Sequence, residues 1–333
     1  MARKTVTMGD IAVELGVSTV SVSKALSGKE GVSDAVRDKI ISKAEEMGYS
    51  YAGSKKNTAC KRHNIGILIS EHFITKDAYY SRLYEKTIMM LSDAGQMGMI
   101  EIIMRKSEKE LETPALISAG QVEGLIVLGQ MSKKYLGMLR NYDLPILYMD
   151  FYDEDILEDA VISDSVFGSG ILTNYLIHRG HTDIAFVGSI RNTSSIMDRY
   201  IGYYRAMLLA GLSVKDEWRI EDRDEEGDFI ELTLPEKMPT AFVCNSDAVA
   251  FNLVKKLQKN GLRVPEDVSV VAFDNFIYAE MSSPKITTYG VDTDALVLNV
   301  VRIILEKLEN RSYTTGRVLI AGTMIERRSV LPR

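Results

Sequence analysis

The chain has 333 residues, of which 46% are hydrophobic and 26% charged, with two cysteines and a net charge of −6. That balance is ordinary for a globular protein with a full core, and no apolar run approaches the ~20 residues needed to span a bilayer. Two cysteines, Cys60 and Cys244, read as free thiols rather than a disulfide or metal framework, and the polar start Met1-Ala2-Arg3-Lys4 does not read as an export signal. A cytoplasmic protein with no membrane contact, no cofactor and no metal is therefore expected. Charge is uneven: residues 1–64 hold 11 Lys+Arg against 7 Asp+Glu, and the remainder is strongly acidic. A basic head on an acidic body points to a polyanionic partner for the head.

Residues 1–49 read as three short helices. Thr7 caps the first, with Asp10 at its positive end, and Gly16 breaks it after Leu15. Ser18 caps a second helix to about Ser27, and Ser33 a third that ends at Gly48. Ile11, Leu15, Val17, Val22, Leu26, Val32, Val36, Ile40, Ala44 and Met47 supply one small shared core. Residues 50–64, SYAGSKKNTACKRHN, have linker composition.

From 65 to 333 short apolar runs alternate with amphipathic stretches. The runs are Ile65–Ser70, Met99–Met104, Gly124–Gly129, Pro145–Asp150, Ile184–Gly188, Thr240–Asn245 and Ser269–Asp274. Helical segments at 80–94, 165–179, 198–210, 247–260 and 293–309 separate some of them. Continuous apolar runs parted by helices indicate parallel sheets in an α/β domain. The length suits two lobes with a cleft between the carboxyl ends of their strands. The short interval from Phe229 to Pro239 leaves no room for an amphipathic helix, and Glu221–Asp228 reads as a solvated acidic loop. His178 and His181 read as loop residues, since no cysteine or carboxylate stands at metal-ligand spacing.

Asp10 to Ser27 contains helix, glycine turn and capped second helix, the parts of a helix-turn-helix. Gly16 permits a turn with positive φ, and Ser18, Thr19, Val20, Ser23 and Lys24 face outward on the second helix. Hydroxyls and a cation at a helix N-terminus suit a major groove and its phosphates. A plain three-helix packing module is the alternative.

Motifs along the whole chain carry a resemblance. In the head they are Val6-Thr7, Asp10-Ile11-Ala12, Gly16-Val17-Ser18, Val22-Ser23, Leu26, Val32-Ser33 and Gly48-Tyr49. In the body they are Gly180-His181, Arg199-x-x-Gly202-Tyr203, Pro239-Thr240-Ala241, Asp247-x-x-Ala250, Val264 to Val271 and Phe273-Asp274. In this order the chain resembles the LacI/GalR-type bacterial transcription regulators. The resemblance implies an all-α helix-turn-helix head joined to a two-lobed, periplasmic-binding-protein-like α/β domain with parallel sheets. It implies a homodimer on a near-palindromic double-stranded operator. Thr19, Val20 and Lys24 would touch base edges, while Thr7, Ser18, Ser23, Ser33 and Tyr49 would touch phosphates. Lys24 stands where the family usually has arginine, which replaces a fixed fork by a flexible point charge. The linker departs further. It has no leucine, isoleucine or valine for a minor-groove wedge, so Lys55 and Lys56 are expected on phosphates, or the segment is a basic tether.

By the same resemblance, Phe73, Tyr79, Tyr80, Asp150, Arg199, Phe229, Ser246 and Asp274 would line an effector cleft. Carboxylates and a guanidinium pair adjacent hydroxyls, and aromatic faces cover the C–H face of a sugar ring. Ser246 replaces the family's usual asparagine and loses an amide donor. The reading is a repressor of carbohydrate-utilisation genes controlled by a mono- or oligosaccharide. Alternatives are a purine or sugar-phosphate effector, or a small-molecule binder without gene control. An enzyme is disfavoured: neither Gly-x-Gly-x-x-Gly, Gly-x4-Gly-Lys-Ser/Thr nor Gly-x-Ser-x-Gly occurs where it would work.

Overall fold

The computed structural model describes residues 6–26, 31–47, 62–76 and 78–333. The chain forms two compact units, Met1–Arg62 and His63–Arg333.

The first unit holds α1 (Met8–Leu15), α2 (Thr19–Leu26) and α3 (Asp34–Glu46). Thr7 and Asp10 form a reciprocal capping box: Asp10 N–H donates to Thr7 Oγ1 at 3.3 Å, and Thr7 N–H donates to the Asp10 carboxylate at 2.8 Å. Gly16 turns the chain at φ +63°, a region that costs a residue with a Cβ about 1–2 kcal/mol. Ser18 Oγ then accepts Ser21 N–H at 3.0 Å to start α2. Ile11, Ala12, Val22, Ala25, Ile40 and Ala44 make the core. Val36, expected inside, is exposed in the first turn of α3, whose buried face begins at Ile40; Ala25 is buried instead, one turn beyond Val22.

The second unit contains two six-stranded sheets. Its strands are β1 (Asn64–Ser70), β2 (Met97–Ile103), β3 (Gly124–Leu128), β4 (Ile146–Met149), β5 (Asp159–Ser163), β6 (Ile184–Val187), β7 (Arg219–Ile220), β8 (Ala241–Cys244), β9 (Ser269–Asp274), β10 (Thr287–Gly290), β11 (Arg317–Ile320) and β12 (Thr323–Ile325). The helices are α4 (Glu71–Lys76), α5 (Ala78–Asp93), α6 (Arg105–Glu110), α7 (Ala115–Ser118), α8 (Lys133–Leu139), α9 (Ser165–His178), α10 (Ser194–Leu209), α11 (Asp247–Lys259), α12 (Ile277–Met281) and α13 (Thr293–Glu309). The first-lobe sheet runs β11-β5-β4-β3-β1-β2 and is wholly parallel. The second runs β12-β10-β9-β8-β6-β7, with only β12 antiparallel.

Helices on both faces explain the continuous apolar runs. In β1, Ile67 and Ile69 pack under α5 and α13, while Leu68 faces the opposite core with Tyr135 and Tyr148. Each such side chain contributes about 1.5–3 kcal/mol on burial. The chain crosses between lobes three times: from β5 into α9, from β10 into α13, and from β11 to β12. In the second lobe α9 and α10 cross closely at Gly202, where a Cβ would lie 2.2 Å from the Val166 carbonyl oxygen. No helix lies between β7 and β8, as the short interval predicted.

The seven apolar runs match β1–β4, β6, β8 and β9. The short strands β5, β7, β10, β11 and β12 were not foreseen. β2 departs from the buried pattern: as an edge strand it leaves Met97, Ile100 and Ile102 exposed.

Candidate effector cleft and DNA-reading face

In the head, Thr7, Ser18, Thr19, Val20, Lys24 and Ser33 are exposed and Ser23 is half-buried. Thr19, Val20, Ser23 and Lys24 all lie on α2. Val20, at 62% exposure, is an apolar side chain that the head's own core leaves in solvent. Two hydroxyls are already engaged: Thr7 Oγ1 donates to Asp10 Oδ2 at 2.6 Å, and Ser18 Oγ lies 2.9 Å from Ser21 Oγ. A phosphate contact by Thr7 therefore competes with the cap. Tyr49, Lys55 and Lys56 lie outside the described residues.

In the body, a cleft of about 1070 Å³ opens between the lobes. Its lining includes Phe73, Tyr79, Tyr80 and Asp150 from the first lobe, and Arg199, Phe229, Ser246 and Asp274 from the second. Sequence separations of up to 201 residues thus collapse onto one cavity.

On the first-lobe side, Asp150 follows β4 at φ +68°, a conformation that a short polar side chain tolerates. Tyr80 Oη donates to Asp150 Oδ2 at 3.0 Å, and Tyr79 Oη reaches Oδ1 at 3.5 Å. Burial, reinforced by the charges of Asp150 and Asp274, pushes the Tyr79 phenol well above its ordinary range, so it remains a proton donor. The Phe73 ring lies against Tyr80, with centroids 4.4 Å apart.

On the second-lobe side, Asp274 ends β9 at φ +109° and Asn275 follows at +55°. Two such residues in succession cost about 1–3 kcal/mol each unless the surroundings hold them. Asp247 supplies one restraint: its carboxylate accepts Phe276 N–H at 2.5 Å and the Thr288 hydroxyl at 2.6 Å. The result presents Asp274 Oδ1 to Arg199 Nη2 at 3.1 Å. Arg199 also donates to the Asn245 carbonyl and lies 4.0 Å over the Phe273 ring. Burial works against its charge, but Asp274 and Asp150 outweigh that and raise its pKa. Ser246 Oγ accepts Val249 N–H at 3.3 Å and caps α11, so serine here serves the helix as well as the cavity.

Phe229 sits on a different element. It pairs with Arg223 across a single antiparallel bridge, and the Arg223 guanidinium lies 4.6 Å over its ring. The expectation of a solvated loop at Glu221–Asp228 holds for Glu221, Asp224, Glu225 and Glu226, which are exposed, and is corrected for Asp222 and Asp228. Asp222 is buried, and Asp228 and Glu226 meet Arg105 of the first lobe. The reason is the fold itself, which brings α6 beside a segment more than 100 residues away. Asn245 was also missed, although it holds Asp222 Oδ2 at 2.9 Å and receives Arg199; its adjacency to the Ser246 cap was the available signal. Among the described residues no cluster of His, Cys, Asp or Glu is arranged for a metal ion. His181 instead bridges Thr240 and the Leu331 carbonyl, and burial lowers its pKa. No helix is long and apolar enough to cross a membrane among the described residues.

Residues 7–51 match the family model "Bacterial regulatory proteins, lacI family", and residues 173–330 match "Periplasmic binding protein-like domain". The chain is 29% identical over 317 residues to the HTH-type transcriptional repressor PurR of Vibrio campbellii (strain ATCC BAA-1116), covering 92% of this chain and 93% of that one. It is 27% identical over 345 residues to PurR of Aliivibrio fischeri (strain MJ11), covering 98% and 99%. Among solved structures, a complex of the transcriptional regulator CelR with cellobiose superposes with a TM-score of 0.70 at 21% identity, covering 97% of this chain and 99% of that one. A lac repressor dimer bound to operator and the anti-inducer ONPF gives 0.67 at 20% identity, covering 98% and 100%. At these identities the structures speak for the fold. With a lacI-family helix-turn-helix head over residues 7–51 and a two-lobed parallel-sheet body of matching fold, the chain is similar along its length to the lacI family of bacterial regulatory proteins and is a DNA-binding transcription regulator.

Proposed function

We propose that this regulator is a cytoplasmic repressor that binds a near-palindromic operator as a homodimer and is controlled by a sugar-like effector in the interlobe cleft. The observation that carries the effector class is the pairing of two strand-end carboxylates, Asp150 and Asp274, with Tyr80 and Arg199 inside one cavity. Carboxylates accept from hydroxyl donors and a guanidinium donates to hydroxyl oxygens, so a polyol satisfies both. The cavity is at the large end of the range for small-molecule sites, which favours a disaccharide or larger over a single ring. Homodimerisation is supported by the apolar residues that β2 leaves exposed, Met97, Ile100 and Ile102. In the head, Thr19, Val20 and Lys24 are assigned to base edges, and Ser18, Ser23 and Ser33 to phosphates.

A thermal-shift panel of mono- and oligosaccharides, nucleobases and sugar phosphates tests the effector class, with operator release as the second readout. A ligand at 100 times its Kd stabilises the folded state by about 2.7 kcal/mol. Stabilisation by oligosaccharides alone supports the proposal; stabilisation by purines alone replaces it with the second reading. That reading is favoured by the PurR names of the relatives and would place a planar base against Phe229.

A further inference from the structure

The segment between β7 and β8 is built in two parts with different chemistry. Its root is bolted to the second lobe. The buried Asp222 carboxylate accepts Ser189 N–H at 2.7 Å and the Asn245 amide at 2.9 Å. Ser189 Oγ in turn accepts Asp222 N–H at 3.0 Å and Arg223 N–H at 2.8 Å. Its tip is a turn held mainly by its own groups, with the Asn192 amide donating to the Asp224 carbonyl at 2.9 Å. Asp224 Oδ1 accepts from Glu226 N–H at 3.0 Å and from Asp228 N–H at 2.9 Å. Asp224 N–H donates back to the Asp228 carbonyl at 3.0 Å, beside the Arg223–Phe229 bridge.

The tip leaves its own lobe. Both terminal nitrogens of Arg105, on α6 of the first lobe, meet the Asp228 carboxylate as a fork. Glu226 is 3.4 Å from Arg105 and 3.5 Å from Lys109. Arg105 is seated from its own side, since its N–H donates to Glu71 at 3.0 Å and its Nη2 lies 2.9 Å from His72 Nδ1. The turn fits closely over that ring: a Cβ on Gly227, which has φ +82°, would lie 3.2 Å from His72. Arg105, Lys109, Glu226 and Gly227 all line the cleft.

We propose that residues 222–229 are an ionic latch, a preformed hairpin of the second lobe that fastens the lobes shut by clasping Arg105 at the cleft mouth. Root and tip answer to different influences. The root is buried and hydrogen-bonded, so it stays with its lobe. The tip pairs are part-exposed, with side chains 30% and 35% accessible for Arg105 and Asp228, so they release in strong electrolyte. The root also touches the ligand-facing groups, because Asn245 joins Asp222 to Arg199. A closed latch spans the mouth and selects effectors that end inside the cavity. The inference holds for any effector chemistry and is tested without a ligand.

Spin labels at Lys134→Cys and Lys259→Cys, on exposed sites of the two lobes, report the interlobe distance in the full chain carrying Cys60→Ser. Cys244 is buried and stays. The parent is measured at ~0.01 M and ~1 M salt, where the screening length falls from ~30 Å to ~3 Å. The short distance dominates at low salt and gives way to a longer one at high salt. Arg105→Glu or Asp228→Arg lowers the closed-to-open ratio about tenfold or more at low salt, because like charges then face each other. Arg105→Glu combined with Asp228→Arg restores it. Arg105→Gln and Asp228→Asn, read in place of any reversal that fails to unfold cooperatively, shift it in the same direction. Unchanged distances in the single variants, or a swap that fails to restore the closed population, overturn the latch.

Discussion

The two walls of the cleft solve the same geometric problem with different electrostatics. Each presents an aspartate at the end of a strand with positive φ, Asp150 after β4 and Asp274 on β9. The first lobe answers its carboxylate with neutral phenols, Tyr79 and Tyr80. The second answers with a buried guanidinium that is itself held by a carbonyl and an aromatic face. Phenol hydrogen bonds exchange readily for ligand hydroxyls at a net cost of about 1 kcal/mol each. A buried ion pair is a fixed commitment, because removing one partner strands the other charge. The second lobe is therefore the preorganised wall and the first the adaptable one.

The sharpest break of that comparison is Arg199→Ala, which leaves Asp274 buried without its cation and is expected to cost about 3–5 kcal/mol in denaturant unfolding of the body. A cost near that of the phenol variants would show that the two walls are equivalent. Next in size is a pH effect confined to the second lobe. Burial raises the Asp247 carboxyl to about 7, with its hydrogen bonds from Thr288 and Phe276 opposing. A carboxyl whose folded pKa exceeds its unfolded one contributes stability at low pH and loses it as pH rises through the folded value. Asp247→Asn should accordingly flatten the decline in melting temperature between about pH 4 and 7; an unaltered slope excludes this group as its source. Asp150→Asn keeps one acceptor oxygen for two phenols and should cost about 1–3 kcal/mol. Tyr80→Phe removes one donor and should cost about 0.5–1.5 kcal/mol. The comparison tightens if Tyr80→Phe weakens effector response more than it weakens folding, and loosens if the two losses are equal.

What the sequence disclosed depended on how local the signal was. The Thr7–Asp10 capping box and the Gly16 turn are complete within ten residues, so the head could be read almost to its ends. Strands buried on both faces, such as β1 and β3, announced themselves as apolar runs. β10 did not, because Thr287 and Thr288 are buried polar residues bonded to Ser329, Arg327 and Asp247. β11 and β12 lie on sheet edges, carry exposed residues and lack periodicity. In the cleft, Arg199 and Asp274 stand in family motifs, and Asp150 ends the apolar run Pro145–Asp150. The hairpin at 222–229 was read only in part: Asp224, Glu225 and Glu226 are solvated, but Asp222 and Asp228 show their partners only once Ser189, Asn245 and α6 are placed beside them. Val36 was misread for a related reason: helical periodicity says which face an apolar residue occupies, but not where along the helix its neighbours begin.

The three crossings between the lobes have a consequence for how the body is made. Neither lobe is a single stretch of polypeptide, since β11 completes the first sheet only after most of the second has been synthesised, and β12 closes the second a few residues later. On the ribosome each sheet lacks one of its border strands until almost the same moment. No cut at one point yields two autonomous halves, and a stop between Gly290 and Arg317 would strip a border strand from each sheet at once.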